Sequence, residues 1–172
     1  MKENGHSDWI SSLCFTPGST VSPQIISGGW DKKVKVWDLK TFSLKQTLVA
    51  PSNQVNVVAV SPDGSITASG DKDGVTHLWD NSESMSHLYS MSAKAPINDL
   101  AFSPFCYWLC AATDHSVVIF DLEKKAPLTV LRPVVDGKLP VCTSVVWSAD
   151  GGSLFAGFSD GIIRVWSVSQ DL

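Results

Sequence analysis

The run Gly29-Trp30-Asp31-Lys32-Lys33-Val34-Lys35-Val36-Trp37-Asp38 closes a turn on an aspartate and then alternates to a Trp-Asp end. Six residues separate Asp31 from Trp37, and the pair returns as Asp73 and Trp79, Asp114 and Phe120, and Asp160 and Trp166. The aromatic positions lie 42, 41 and 46 residues apart. A second landmark keeps the same phase: Thr16-Pro17-Gly18, Ser61-Pro62-Asp63-Gly64, Ser103-Pro104 and Ser148-Ala149-Asp150-Gly151. Two landmarks in register through four units mark an internal repeat, and a period of this length dictates the architecture before any local reading does.

Between the landmarks, apolar and small residues alternate with period two, which reads as strands. The first unit offers Trp9 to Phe15, Gln24 to Ser27, Val34 to Trp37 and Leu44 to Val49. The next two repeat that set of four. The fourth offers Cys142 to Trp147, Leu154 to Gly157 and Ile162 to Val168, and its outer strand is missing. No segment carries the capped 3.6-residue periodicity of a helix. Four-stranded units of about 42 residues ending in Trp-Asp are the sequence form of a WD-repeat blade. The expected fold is therefore all-β, a partial WD40 β-propeller of four consecutive blades from a seven-bladed ring. The blades fall at about 6–50, 51–92, 93–133 and 134–172, with the last lacking its outer strand.

Composition narrows the function classes. With 172 residues, 44% hydrophobic and 17% charged, the chain has the make-up of a folded domain rather than a disordered one. A net charge of −4 and the lack of a basic tail argue against wrapping nucleic acid through counterion release. No apolar run approaches the roughly 20 residues of a membrane span, and Met1-Lys2-Glu3-Asn4 does not start a secretory signal. The expected location is the cytoplasm, without membrane insertion. Cys14, Cys106, Cys110 and Cys142 sit in apolar stretches without metal-ligand spacing, so they are expected to be reduced and no metal or other cofactor is expected. His77, His87 and His115 likewise build no metal site by spacing. Asp71-x-Asp73-Gly74 lacks the length and downstream glutamate of a calcium loop.

In the first unit His6, Ser27, Asp31 and Trp37 resemble the structural tetrad of WD blades. The aspartate accepts from the histidine, whose other nitrogen meets the serine hydroxyl, and that hydroxyl reaches the indole N–H. A Ser-His-Asp hydrolase is the rival. It is disfavoured because the set recurs by repeat position and lacks a nucleophile elbow, so no catalytic role is expected. The other units are eroded. Pro51 stands where a second histidine would be, beside Ser69, Asp73 and Trp79. Unit three keeps Asp114 with Phe120, and unit four keeps Asp160 and Trp166 with Ala156 at the serine place.

Whole segments, including 6–17, 29–39, 60–80, 102–113 and 142–166, resemble the receptor-for-activated-C-kinase family, eukaryotic G-protein-beta-like scaffolds. Tyr107-Trp108-Leu109-Cys110-Ala111-Ala112-Thr113 is the most specific of these. The resemblance aligns the chain with the carboxy-terminal four of seven blades. It implies a non-enzymatic adaptor on the small ribosomal subunit, touching ribosomal RNA and proteins and gathering protein kinase C and other signalling proteins. By the same resemblance, Lys32 and Lys33, with Lys35 on the next strand, are candidates for phosphate contact. The segment from Ala95 to Phe102 is a candidate for kinase anchoring, and Tyr89 and Tyr107 are candidates for phosphorylation. Four blades leave open faces at both ends, so the isolated fragment is expected to self-associate. A self-pairing half-propeller and a WD40 adaptor of another complex are the alternatives.

Overall fold

The computed structural model describes residues 4–17 and 23–168, so Gly18 of the first proline-turn landmark and the extreme ends of the outer blades lie outside the described residues. Fifteen strands and no helix occur among them. The first sheet holds β1 (Ile10–Phe15), β2 (Gln24–Gly29), β3 (Val34–Asp38) and β4 (Ser43–Leu48). The second holds β5 (Val55–Val60), β6 (Ile66–Asp71), β7 (Val75–Asp80) and β8 (His87–Ser92). The third holds β9 (Ile97–Phe102), β10 (Trp108–Thr113), β11 (Val117–Asp121) and β12 (Ala126–Leu131). Among the described residues the fourth holds β13 (Cys142–Trp147), β14 (Ser153–Phe158) and β15 (Ile163–Ser167).

Each sheet is an antiparallel meander in chain order, with a register shift near the start of its first strand, in β1, β5, β9 and β13 alike. The described residues thus form a partial β-propeller of four sheets, three of them four-stranded and the last with three described strands. The strands expected from the alternation are all present. They run one or two residues longer where a turn aspartate joins the ladder, as Asp71 and Asp121 do.

First strands of successive sheets are neighbours: β1 packs on β5, β5 on β9, and β9 on β13. The cores therefore lie between sheets. Ile26, Val34 and Val36 meet Val55, Val58 and Trp79 in the first seam. Ala68 and Leu78 meet Leu100, Leu109 and Phe120 in the second. Cys110, Ala112 and Ile119 meet Val145, Trp147 and Leu154 in the third. Each large side chain so buried stabilises the fold by about 1.5–3 kcal/mol. The approach is close enough to require glycine, because a Cβ on Gly70 would lie 2.4 Å from Ile97 Cγ2.

Polar residues also cross the seams at one repeated position. Ser11 Oγ donates to Val55 O, Asn56 Nδ2 to Ile97 O (2.8 Å) and Asn98 Nδ2 to Cys142 O (2.9 Å). Thr143, the fourth of the series, turns back to Gly157 O within its own sheet. Each bond reaches the carbonyl of the first residue of the next sheet's first strand and so ties neighbouring sheets together.

Candidate interaction surface

In the first unit, the loop before β1 carries His6 onto the β2–β3 turn. His6 Nδ1 lies 2.8 Å from Asp31 Oδ1 and Nε2 lies 2.8 Å from Ser27 Oγ. Trp37 Nε1 donates to Ser27 Oγ at 2.8 Å, and Ser7 N donates to the second Asp31 oxygen at 3.1 Å. One protonation scheme fits all four contacts: Nδ1–H to the carboxylate, the serine hydroxyl to Nε2, and the indole N–H to Oγ. Burial alone would raise the Asp31 pKa, but hydrogen bonds from the His6 side chain and the backbone of Ser7 and Lys33 outweigh it and hold the carboxyl below its ordinary value. A Cβ on Gly29 would lie 2.4 Å from His6 Nδ1, so glycine is required there. Ser27 is buried with its oxygen enclosed by His6 and Trp37. The arrangement braces a turn: His6, Ser27 and Trp37 form part of the wall of a mostly apolar cavity of about 390 Å³, and the Ser27 oxygen is already engaged by His6 and Trp37.

The other repeated aspartates take different partners. Asp73 accepts from Ser52 Oγ (3.1 Å) and Asn53 Nδ2 (2.7 Å), the two residues following Pro51. Asp114 receives a long 3.4 Å contact from Asn98 Nδ2. Asp160 is clasped by both Arg164 nitrogens at 3.1 and 2.7 Å, which holds its carboxyl below the usual range. Ser69 Oγ is buried without a hydrogen-bond partner, as expected when proline replaces the histidine. Trp79 and Phe120 are buried, and Trp166 packs on Phe158 with centroids 6.4 Å apart.

Spacing did not reveal a second polar chain in unit two. His77 Nε2 lies 3.4 Å from buried Asp71 Oδ2, Ser90 Oγ lies 2.9 Å from His77 Nδ1, and His87 Nε2 lies 3.0 Å from Ser90 Oγ. Asp71 also accepts the Asp73 and Val75 N–H groups. Burial and then the neighbouring His77 lower the His87 pKa, favouring its neutral form. The only sequence signal was alternation: His77 and Ser90 are cross-strand partners. Among the described residues no cluster of three or more His, Cys, Asp or Glu could hold a metal. Burial pushes the Cys14 thiol up to about 12 and Cys142 up to about 11, and raises Cys110 well above its ordinary value, so these thiols are protonated and poor ligands at neutral pH.

The lysine set divides. Lys32 is exposed on the β2–β3 turn with Lys33 beside it. Lys35 must be withdrawn as a contact residue: it is buried on β3, and its Nζ donates to Asn4 O at 3.0 Å and Thr47 Oγ1 at 3.4 Å. The tyrosines divide too. Tyr89 OH donates to Leu122 O at 2.8 Å under the Lys125 ammonium, whereas Tyr107 is exposed beside a 210 Å³ groove shared with Pro62 and Pro104. Between Ala95 and Phe102, Ile97 and Leu100 are buried, and Asp99 is engaged by Ser144 Oγ and Val145 N.

The family model described as WD domain, G-beta repeat matches residues 2–38, 42–80, 85–121 and 132–167. The chain is 49% identical over 171 residues to the small ribosomal subunit protein RACK1 of Neurospora crassa, covering 96% of this chain and 54% of that protein. It is 51% identical to MST50-interacting protein 11 of Pyricularia oryzae, covering 96% and 54%. It is also 51% identical to the small ribosomal subunit protein RACK1y of Oryza sativa subsp. japonica, covering 96% and 49%. The chain spans about half the length of the curated relatives it matches. The expected likeness to the receptor for activated C kinase is therefore found, and with four matched repeats on four observed sheets the chain belongs to the WD40, G-beta repeat family.

Proposed function

We propose that the chain is part of a non-catalytic WD40 scaffold that works in the cytoplasm on the small ribosomal subunit and holds signalling proteins such as protein kinase C. The observation that carries this reading is the similarity, near 50% identity across 96% of the chain, to proteins named for the small ribosomal subunit. It favours a scaffold over a self-pairing structural module. Lys32 and Lys33, projecting from the braced β2–β3 turn, supply phosphate contacts, since lysine at an ordered turn reads a backbone without reading sequence. Kinase anchoring through 95–102 uses the loop residues before β9, because the buried positions of the strand are occupied by the seam. Tyr107 is the more accessible of the two tyrosines for phosphorylation.

Sedimentation of the chain with purified small subunits tests this. Binding is expected at low salt and is expected to weaken as salt rises, with the Lys32→Glu/Lys33→Glu variant weakened further. A chain that stays in the soluble fraction at low salt refutes the ribosomal part.

A further inference from the structure

In an acidic protein with 17 Asp and Glu against 13 Lys and Arg, one pocket is lined by a lysine, an arginine and a histidine and by no carboxylate. It has a volume of about 360 Å³ and lies on the third sheet, where the loop from β8 into β9 meets the β10–β11 turn and the chain leaving β12. Lys94, His115 and Arg132 line it, one from each of these three segments, and all three are exposed. None of them enters an ion pair among the described residues, although Lys124 and Arg164 both do. The Ser92 hydroxyl accepts the Lys94 N–H at 3.2 Å, which anchors the lysine backbone in its left-handed conformation (φ 60°). Thr113 Oγ1 and Ser116 Oγ, 2.8 Å apart, fasten the turn that carries His115.

We propose that this pocket binds a phosphorylated serine or threonine of a partner protein. A phosphate monoester carries nearly two charges and three acceptor oxygens, which suits a guanidinium fork, an ammonium and an imidazole N–H carried on three separate segments of one pocket. Pro127 and Val130 add apolar wall, which a peptide's neighbouring side chains fill and a bare ion leaves empty. An extended nucleic acid fits less well. Its affinity grows with the number of phosphates neutralised, and here a single local cluster sits in a chain of net charge −4.

Fluorescence anisotropy with the full chain and a short labelled peptide, bearing one phosphoserine between apolar residues, tests the assignment. The phosphopeptide is expected to bind at least about tenfold tighter than its unphosphorylated form, and millimolar inorganic phosphate is expected to displace it. The Lys94→Ala/Arg132→Ala variant is expected to lose at least about tenfold in affinity with an unchanged circular dichroism spectrum. A control removing two exposed lysines elsewhere, Lys72→Ala/Lys124→Ala, is expected to bind as the parent does. Equal binding of the unphosphorylated peptide, or equal loss in the control, overturns the proposal. So does tighter binding of a single-stranded RNA at the same salt.

Discussion

Leu13 and Leu100 occupy the same place in their sheets, the fourth residue of the first strand opposite the tetrad-serine position, yet Leu13 is 63% exposed and Leu100 is 6% exposed. Val58 and Val145 share the position and are 4% and 5% exposed. The position before the repeat aromatic shows the opposite end effect. Val36, Leu78 and Ile119 are at most 3% exposed, while Val165 is 54% exposed. One side chain of each series is left in water, at opposite ends of the chain. Burial here is conferred by the adjacent sheet, not by the residue's own blade, which is the property of a repeat architecture whose units cannot each close a core.

The sharpest way to break this comparison is to make the same substitution at both leucines. Leu100→Ala opens a cavity between the second and third sheets and is expected to cost about 2–5 kcal/mol in urea unfolding. Leu13→Ala removes a methyl cluster that already faces solvent and is expected to stay within about 0.5 kcal/mol of the parent. Similar losses at both sites would mean that the end face is covered in solution.

A smaller effect separates the two tetrad serines. Ser27→Ala strands His6 Nε2 and Trp37 Nε1 in a buried site and is expected to cost about 1–3 kcal/mol. Ser69→Ala removes a hydroxyl that has no partner and is expected to leave the melting temperature unchanged or raise it. If the two variants melt alike, the first tetrad does not stabilise the fold beyond its packing.

These contrasts also show what the residues could reveal on their own. The four Asp-aromatic pairs are local, so their spacing was enough to expose the repeat and the strand order. The first tetrad was legible for the same reason, since each member sits at a fixed repeat position. Lys35 was not. Alternation placed it next to Lys32 and Lys33 in sequence, but only the ladder with Thr47 and the returning segment at Asn4 shows that its ammonium is enclosed. The Asp71, His77, Ser90 and His87 chain was hidden because its members come from three strands without a repeated spacing. The cationic pocket was hidden because Lys94, His115 and Arg132 belong to three different connections. Contacts within one turn are written in the sequence, whereas convergence of loops depends on how far each strand carries the chain.

The least of the expected effects concerns acid. Asp31 and Asp160 both have folded-state pKa values below the ordinary carboxylate value, so each contributes stability that is in place above the unfolded value of about 3.9 and is lost as pH falls through the folded one. Their partners differ. Asp31 is enclosed with His6, the two side chains being 3% and 1% exposed, whereas Asp160 faces Arg164 on the open end sheet with a side chain 29% exposed. Screening by salt acts on the second pair far more than on the first. Urea midpoints followed from about pH 6 down to about pH 3 are therefore expected to fall less steeply in both Asp31→Asn and Asp160→Asn than in the parent. In high salt the Asp160→Asn difference is expected to vanish while the Asp31→Asn difference persists. If salt erases both, the first turn is as open to solvent as the last, and the tetrad's enclosure does not set its acid response.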